Sequence, residues 1–172
     1  MPRNIEIKAR IPTVEKMLPL ARALADGDME VIDQIDTFFH VAHGRMKLRE
    51  FADGSAELIH YHRANTTEAR PSDYVRVPVG DAQGLREVLA RGCGVIGQVR
   101  KRRLLLLVGQ TRVHLDRVEG LGDCIELEVV LREDQGDDEG RAIAEALMQR
   151  LGLVDAPRLA GAYLDLAHAS AQ

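Results

Sequence analysis

Asn4-Ile5-Glu6-Ile7-Lys8-Ala9-Arg10-Ile11 carries a polar side chain at every even position and an apolar one at every odd position. Successive side chains of a strand point to opposite faces, so residues 4–11 are predicted to form a strand with one polar and one apolar face. Similar short segments follow along the chain, and strands are predicted over 34–41, 45–51, 57–63, 73–79, 95–108, 111–118 and 124–131. Ala42-His43-Gly44, Ala52-Asp53-Gly54 and Gly109-Gln110 read as turns between them, and the polar stretch 65–71 as a loop. Where the alternation is clear, charge collects on one face. Arg45, Lys47 and Arg49 oppose Met46 and Leu48; Arg112, His114 and Asp116 oppose Thr111, Val113 and Leu115; Glu126 and Glu128 oppose Ile125, Leu127 and Val129.

Helical periodicity is sparser. Thr13 is placed to cap a helix bearing Val14, Met17, Leu18, Ala21 and Leu24 on one face, with Pro19 predicted to kink or end it. Gly80-Asp81 opens a second helix with Leu85, Val88 and Leu89 on one side. Asp137 and Asp138 open a third with Ile143, Ala146, Leu147 and Leu151, closed by Gly152, and 159–167 reads as one more short helix. About eight strands joined mostly in sequence, with a few peripheral helices, predict an α+β fold. Its centre is a closed eight-stranded antiparallel β-barrel built as a meander. Neither an internal repeat nor a linker divides the chain, so residues 1–172 are expected to form one domain.

Composition narrows the function. The 172 residues are 45% hydrophobic and 29% charged, as in globular domains, and with 3% aromatics the core falls to Leu, Ile, Val and Ala. Lys and Arg number 23 against 27 Asp and Glu, a net charge of −4, which argues against a dedicated nucleic-acid binder. No apolar run approaches the ~20 residues of a membrane span, and the start lacks the apolar core of a signal peptide. Cys93 and Cys124 stand too far apart for a disulfide framework or a metal motif, so a cytoplasmic location is expected. Gly92-Cys93-Gly94-Val95-Ile96-Gly97 has dinucleotide-loop spacing but follows a helix and leads into a strand, the reverse of the required context. His60 and His62 lack further ligands and read as surface or pocket residues, and the basic run 100–103 stands alone in an acidic chain.

Which face of the strands points inward decides the chemistry. Each helix carries an apolar stripe that needs an apolar partner. The simplest arrangement buries the Ile, Val and Leu faces under helices and turns the charged faces to the interior. Alternation alone equally admits a solvated face laced with cross-strand ion pairs. An interior face would gather Glu6, Asp116, Glu126 and Glu128 with Lys8, Arg10, Lys47, Arg49, Arg76 and Arg112. Lys and Arg together suit a polyphosphate, and grouped carboxylates suit a hard cation, Mg²⁺ or Mn²⁺.

Six stretches, taken in order, resemble the CYTH-domain family of triphosphate tunnel metalloenzymes. They are Asn4-Ile5-Glu6-Ile7-Lys8, Arg45-Met46-Lys47-Leu48-Arg49-Glu50, Glu57-Leu58-Ile59-His60-Tyr61-His62-Arg63, Arg100-Lys101-Arg102-Arg103, Thr111-Arg112-Val113-His114-Leu115-Asp116, and Gly120-Leu121-Gly122-Asp123-Cys124-Ile125-Glu126-Leu127-Glu128. The family opens on Glu-x-Glu-x-Lys. Glu6 and Lys8 match, but Asn4 replaces the first Glu, offering a carbonyl oxygen without charge. The resemblance implies a metal site of Glu6, Asp116, Glu126 and Glu128. It implies triphosphate binding by Lys8, Lys47, Arg49 and Arg63, which Arg76 and Arg112 join from the charged faces; in the run 100–103 alternation admits either Lys101 with Arg103 or Arg100 with Arg102, and the family's usual Lys-x-Arg pattern favours Lys101 and Arg103. Arg158 is a further candidate. Gly120-Leu121-Gly122 followed by Glu126-Leu127-Glu128-Val129-Val130 looks closest to the class IV adenylyl cyclases, which convert ATP to cyclic AMP and pyrophosphate. The alternatives are a triphosphatase acting on tripolyphosphate, thiamine triphosphate or a nucleoside triphosphate, and a non-catalytic polyphosphate- or nucleotide-binding protein. Each implies a small triphosphate, ATP or tripolyphosphate, as partner. Nucleic acid and membrane are not expected as partners, and the resemblance is compatible with a homodimer.

Overall fold

The computed structural model describes the backbone of residues 3–63 and 66–170, and the side chains of all but 63, 70, 169 and 170 among these. Eight strands, β1 (Arg3–Arg10), β2 (Glu30–Phe39), β3 (Arg45–Phe51), β4 (Ala56–Arg63), β5 (Arg70–Pro78), β6 (Val95–Val108), β7 (Thr111–Val118) and β8 (Gly122–Val130), close into an antiparallel barrel. Four helices accompany them: α1 (Val14–Leu24), α2 (Ala82–Cys93), α3 (Asp137–Arg150) and α4 (Tyr163–Ser170).

The order around the barrel, β1-β5-β4-β3-β2-β6-β7-β8, corrects the expected single meander. There are two meanders, β2 to β5 and β6 to β8, and β1 closes the ring between β5 and β8. The helices are the reason. α1 leaves β1 and packs across β7 and β6, delivering the chain to β2 on the far side of β6. α2 leaves β5 and packs on β3 and β2 before entering β6. Each crossover lays a helix over the apolar face of the strands it passes, which is what the helical stripes require.

The main core lies outside the barrel wall. Ile5, Ile7 and Ala9 of β1 pack with Val113, Leu115, Ile125, Leu127 and Val129 against Val14, Met17 and Ala21 of α1 and Ala144, Leu147 and Met148 of α3. Each large aliphatic side chain buried in this way contributes about 1.5–3 kcal/mol. α3 comes close because Gly140 has no side chain: a Cβ there would stand 2.5 Å from Ile5 Cγ1 and 2.6 Å from Leu131 Cδ2. Phe39 and Leu48 form a smaller cluster under Leu85 and Leu89 of α2. A third lies inside one end of the barrel, where Phe38, Ile59, Tyr61, Val99 and Cys124 meet Ala162, Tyr163 and Leu164. α4 rests there against Gly97, where a Cβ would meet Leu164 at 2.8 Å. That close approach is the structural use of the rejected dinucleotide-like run.

Several local expectations shift. α1 continues past Pro19 to Leu24 rather than ending there, and the proline is exposed. Val88 points outward at 66% exposure, and Ala144 rather than Ala146 faces the core of α3. β2 starts at Glu30, and β5 at Arg70, inside the expected loop. His60 lies on the surface, its ring Nε2 2.9 Å from the His43 carbonyl, and His62 is exposed. Among the described residues no helix is long and apolar enough to cross a membrane.

Candidate functional site

With the apolar faces under helices, the polar faces line a cavity of about 220 Å³ inside the barrel. Lys8, Lys47, Arg49, Arg76, Lys101, Arg103 and Arg112 line it together with Glu6, Glu126 and Glu128. Arg100 and Arg102, of the opposite parity to Lys101 and Arg103, are exposed on the outer face. The Arg63 side chain lies outside the described residues.

One wall is cationic and organised by a buried acid. Asp36 on β2 is 2% exposed. It accepts hydrogen bonds from Lys47 Nζ (2.8 Å), Arg49 Nε (2.8 Å) and Nη2 (2.9 Å), and Gln34 Nε2 (3.2 Å). Register explains the cluster, since Asp36 pairs with Arg49 and Phe38 with Lys47 across the β2–β3 ladder. Burial by itself would raise the Asp36 carboxyl, but Arg49 and Lys47 hold it well below the usual range. Burial and the neighbouring Arg49 push Lys47 down to about 8, against the pull of Asp36. Burial and Arg103 likewise lower Lys101, whose ammonium lies 4.9 Å from the Tyr163 ring centroid.

The opposite wall is acidic. Arg103 reaches across it, donating to Asp116 Oδ1 and Oδ2 (2.7 Å each) and to Glu126 Oε2 (2.9 Å). Lys8 Nζ lies 3.3 Å from Glu126 Oε1 and 4.2 Å from the Tyr163 centroid. Arg112 Nε donates to Glu128 Oε2 at 2.8 Å. Burial opposes ionisation of Glu126, yet Lys8 and Arg103 hold it well below the usual range. His114, on β7 directly across from Glu126, is 3% exposed, and burial with Arg103 keeps its ring neutral. Its Nδ1 has no hydrogen-bond partner.

Some expected positions fall elsewhere. Asp116 is fully buried and does not line the cavity, because Arg103 and the Tyr163 hydroxyl (2.7 Å) occupy its carboxylate. Both of its carboxylate oxygens thus hold Arg103 in place. Arg10 turns aside to donate to the Leu121 carbonyl at 2.8 Å. Arg158 forms a two-pronged ion pair with Glu145 on α3. Asn4 lines the cavity, with its amide oriented so that the oxygen accepts from Arg112 Nη2 at 3.0 Å. Cys124 closes the apolar end, its thiol pushed up to about 11 by burial. Asp36, His114 and Tyr163 were absent from the sequence-based set. His114 could have been found there, since it sits between Arg112 and Asp116 on one face.

The acidic wall groups three side chains that could hold a metal. One donor atom each from His114, Glu126 and Glu128 falls within 4.8 Å of the others. His114 Nδ1 lies 3.8 Å from Glu126 Oε2 and 3.9 Å from Glu128 Oε1. Ligands about 2.1 Å from one octahedral ion stand roughly 3.0 Å apart when adjacent and 4.2 Å apart when opposed. The separations of 3.8 and 3.9 Å fall between those two values, so small side-chain shifts would be needed to bring the three residues onto one divalent ion.

Comparison with known proteins agrees with the geometry. The CYTH domain profile matches residues 2–163. The PH1012 protein of Pyrococcus horikoshii superposes with a TM-score of 0.84 at 25% identity, over 95% of this chain and 98% of that one. A Vibrio parahaemolyticus protein named as a candidate adenylate cyclase gives 0.77 at 19% identity, over 96% and 97%. A Hippeastrum protein, named as a candidate adenylyl cyclase with a dominant triphosphatase activity, gives 0.69 at 16% identity, over 98% and 96%. No curated protein matches the chain. A profile match over nearly the whole chain, on a closed barrel that turns its charges inward, places the protein in the CYTH domain family.

Proposed function

We propose that the protein is a metal-dependent enzyme that cyclises a nucleoside triphosphate, as a class IV-like adenylyl cyclase does ATP, with release of pyrophosphate. The observation that supports it is a single cavity with three kinds of wall. Lys8, Lys47, Arg49, Lys101, Arg103 and Arg112 supply cations for a triphosphate, Glu126 and Glu128 face them, and Ile32, Phe51 and Leu105 add apolar surface suited to a nucleoside. CYTH proteins act on triphosphates with a divalent metal, so the family agrees with the cavity.

In this reading Lys47 and Arg49 hold phosphoryl oxygens by charge-assisted hydrogen bonds, already aimed by Asp36 before the ligand arrives. Arg103, braced by Asp116, holds the opposite side of the chain of phosphates. The ribose 3′-hydroxyl oxygen then attacks the α-phosphorus in line, its proton passes to solvent water, and the bond from the α-phosphorus to the bridging oxygen breaks to free pyrophosphate. A divalent ion on Glu126, Glu128 and His114 supplies polarisation of the phosphoryl oxygens and offsets charge on the leaving group.

A second reading, hydrolysis of an inorganic or organic triphosphate, is favoured by the cavity lining, in which charged side chains outnumber apolar ones. Phosphorus NMR with ATP and with tripolyphosphate, each with Mg²⁺ or Mn²⁺, separates the readings. Pyrophosphate with a cyclic nucleotide from ATP establishes the cyclase. Orthophosphate, chiefly from tripolyphosphate, establishes the hydrolase. Metal-dependent line broadening without turnover indicates a binding protein. Triphosphate affinity that survives both Lys47→Ala and Arg49→Ala would overturn all three.

A further inference from the structure

We propose that His114, Glu126 and Glu128 form a mixed nitrogen–oxygen site that holds a first-row transition ion in preference to Mg²⁺, with His114 Nδ1 as a direct ligand. The inference rests on the metal-dependent reading above and adds to it the ligand set and the class of ion.

His114 Nδ1 is a polar atom buried without a partner, a costly arrangement unless something occupies the space it faces. What it faces is two carboxylate oxygens at 3.8 and 3.9 Å, too far for hydrogen bonds and suitable for a shared ion. Glu126 Oε2 also accepts from Arg103 Nη2 at 2.9 Å, so an ion there would share this oxygen with Arg103, and the carboxylate atoms turned away from His114 are engaged by the protein as well. Glu128 Oε2 is held by Arg112, and Glu126 Oε1 pairs with Lys8, so both side chains are oriented from behind. Asn4 makes the same point from the neighbouring strand. Its carbonyl oxygen is directed to Arg112, so this position adds no carboxylate that would build an all-oxygen site. Mg²⁺ favours oxygen donors and retained water, whereas imidazole suits first-row transition ions. Mn²⁺ binds nitrogen most weakly of that row, which makes it a stringent probe.

The test uses Mn²⁺ and the full chain without any triphosphate. Electron paramagnetic resonance titration should show one Mn²⁺ per chain, and electron spin echo modulation should show directly bound ¹⁴N. Labelling histidine with ¹⁵N should replace that modulation with its ¹⁵N counterpart, a readout that needs no mutant. Among the described residues, His114 is the histidine that lines the cavity. His114→Gln should abolish the nitrogen modulation and weaken Mn²⁺ at least ten-fold while changing Mg²⁺ affinity less than two-fold. Three outcomes overturn the inference: Mn²⁺ that does not bind at millimolar concentration, Mn²⁺ bound without nitrogen modulation, or Mg²⁺ displacing Mn²⁺ at equal concentration. An active cyclase with an all-oxygen Mn²⁺ site would end this inference and spare the proposed reaction. An inactive protein with bound nitrogen would do the opposite.

Discussion

Asp36→Asn removes one negative charge where three cations converge, and it should make the protein depend on a triphosphate for its stability. Asp36 is 2% exposed and holds Lys47 at 2.8 Å and Arg49 at 2.8 and 2.9 Å, with Lys101 close enough to act on it electrostatically. Removing one partner of a buried ion pair costs about 3–5 kcal/mol. At about 2.1 cal/mol/K per residue, unfolding 172 residues carries an entropy of about 0.36 kcal/mol/K, so the melting temperature falls by about 8–14 °C. The lower end applies, because Lys47 and Arg49 keep 13% and 15% of their side-chain surface in contact with water. Tripolyphosphate should then recover most of the loss. In the native protein it must share Lys47 and Arg49 with Asp36; in the variant it supplies the missing anion. Scanning calorimetry at pH 7 and low salt, with and without tripolyphosphate, measures both effects. A variant melting within about 2 °C of the parent would refute the ion-pair reasoning. A loss that tripolyphosphate does not narrow would mean these cations never meet the ligand.

Four further outcomes follow from particular contacts. Lys47 titrates near 8, so triphosphate affinity should be full below that pH and fall above it, as followed by titration calorimetry; the ligand only gains charge with pH and cannot cause the fall. The same depressed value means the unfolded chain binds more protons between about pH 8 and 10.4, so Lys47's contribution to stability rises across that window. Gly140→Ala should lower the melting temperature by a few degrees, since overpacking against Ile5 and Leu131 at about 1–3 kcal/mol exceeds the ~1 kcal/mol gained in helix propensity. An equal or higher melting temperature would show that α3 stands further from β1. Arg76→Ala should change triphosphate affinity less than three-fold, because its side chain is 49% exposed and 3.9 Å from Glu57; a loss as large as that of Arg49→Ala would place it in the first rank of binding groups.

The alternation of residues 4–11 was enough to show a strand with a charged face, and the stripes on the helices were enough to argue that this face turns inward. The order of strands was not legible. Nothing local to Glu30–Phe39 says that it will lie beside β6, because that depends on where α1 delivers it. The same dependence hid Asp36, an acid on an otherwise mixed strand until register sets it opposite Arg49. Asp116 has the parity of a cavity residue, yet the Tyr163 hydroxyl, 47 residues away, helps to occupy it. Parity assigns a side, and only packing assigns a partner.

Closure of the ring by its first strand has a consequence for the order in which the molecule comes into being. Lys8 pairs with Glu126, 118 residues later, so β1 finds its β8 neighbour only after most of the chain exists. At about 5–20 residues per second of synthesis, that interval is roughly 6–24 s. Over that interval the meander of β2 to β5 can form from local contacts, bringing Asp36 together with Lys47 and Arg49. The acidic wall and its histidine must wait for β7 and β8, and the ring shuts when β8 docks against β1. Such long-range pairing is slow, and closing the barrel completes the cavity. The last pairing the ring can make is thus also the birth of the site.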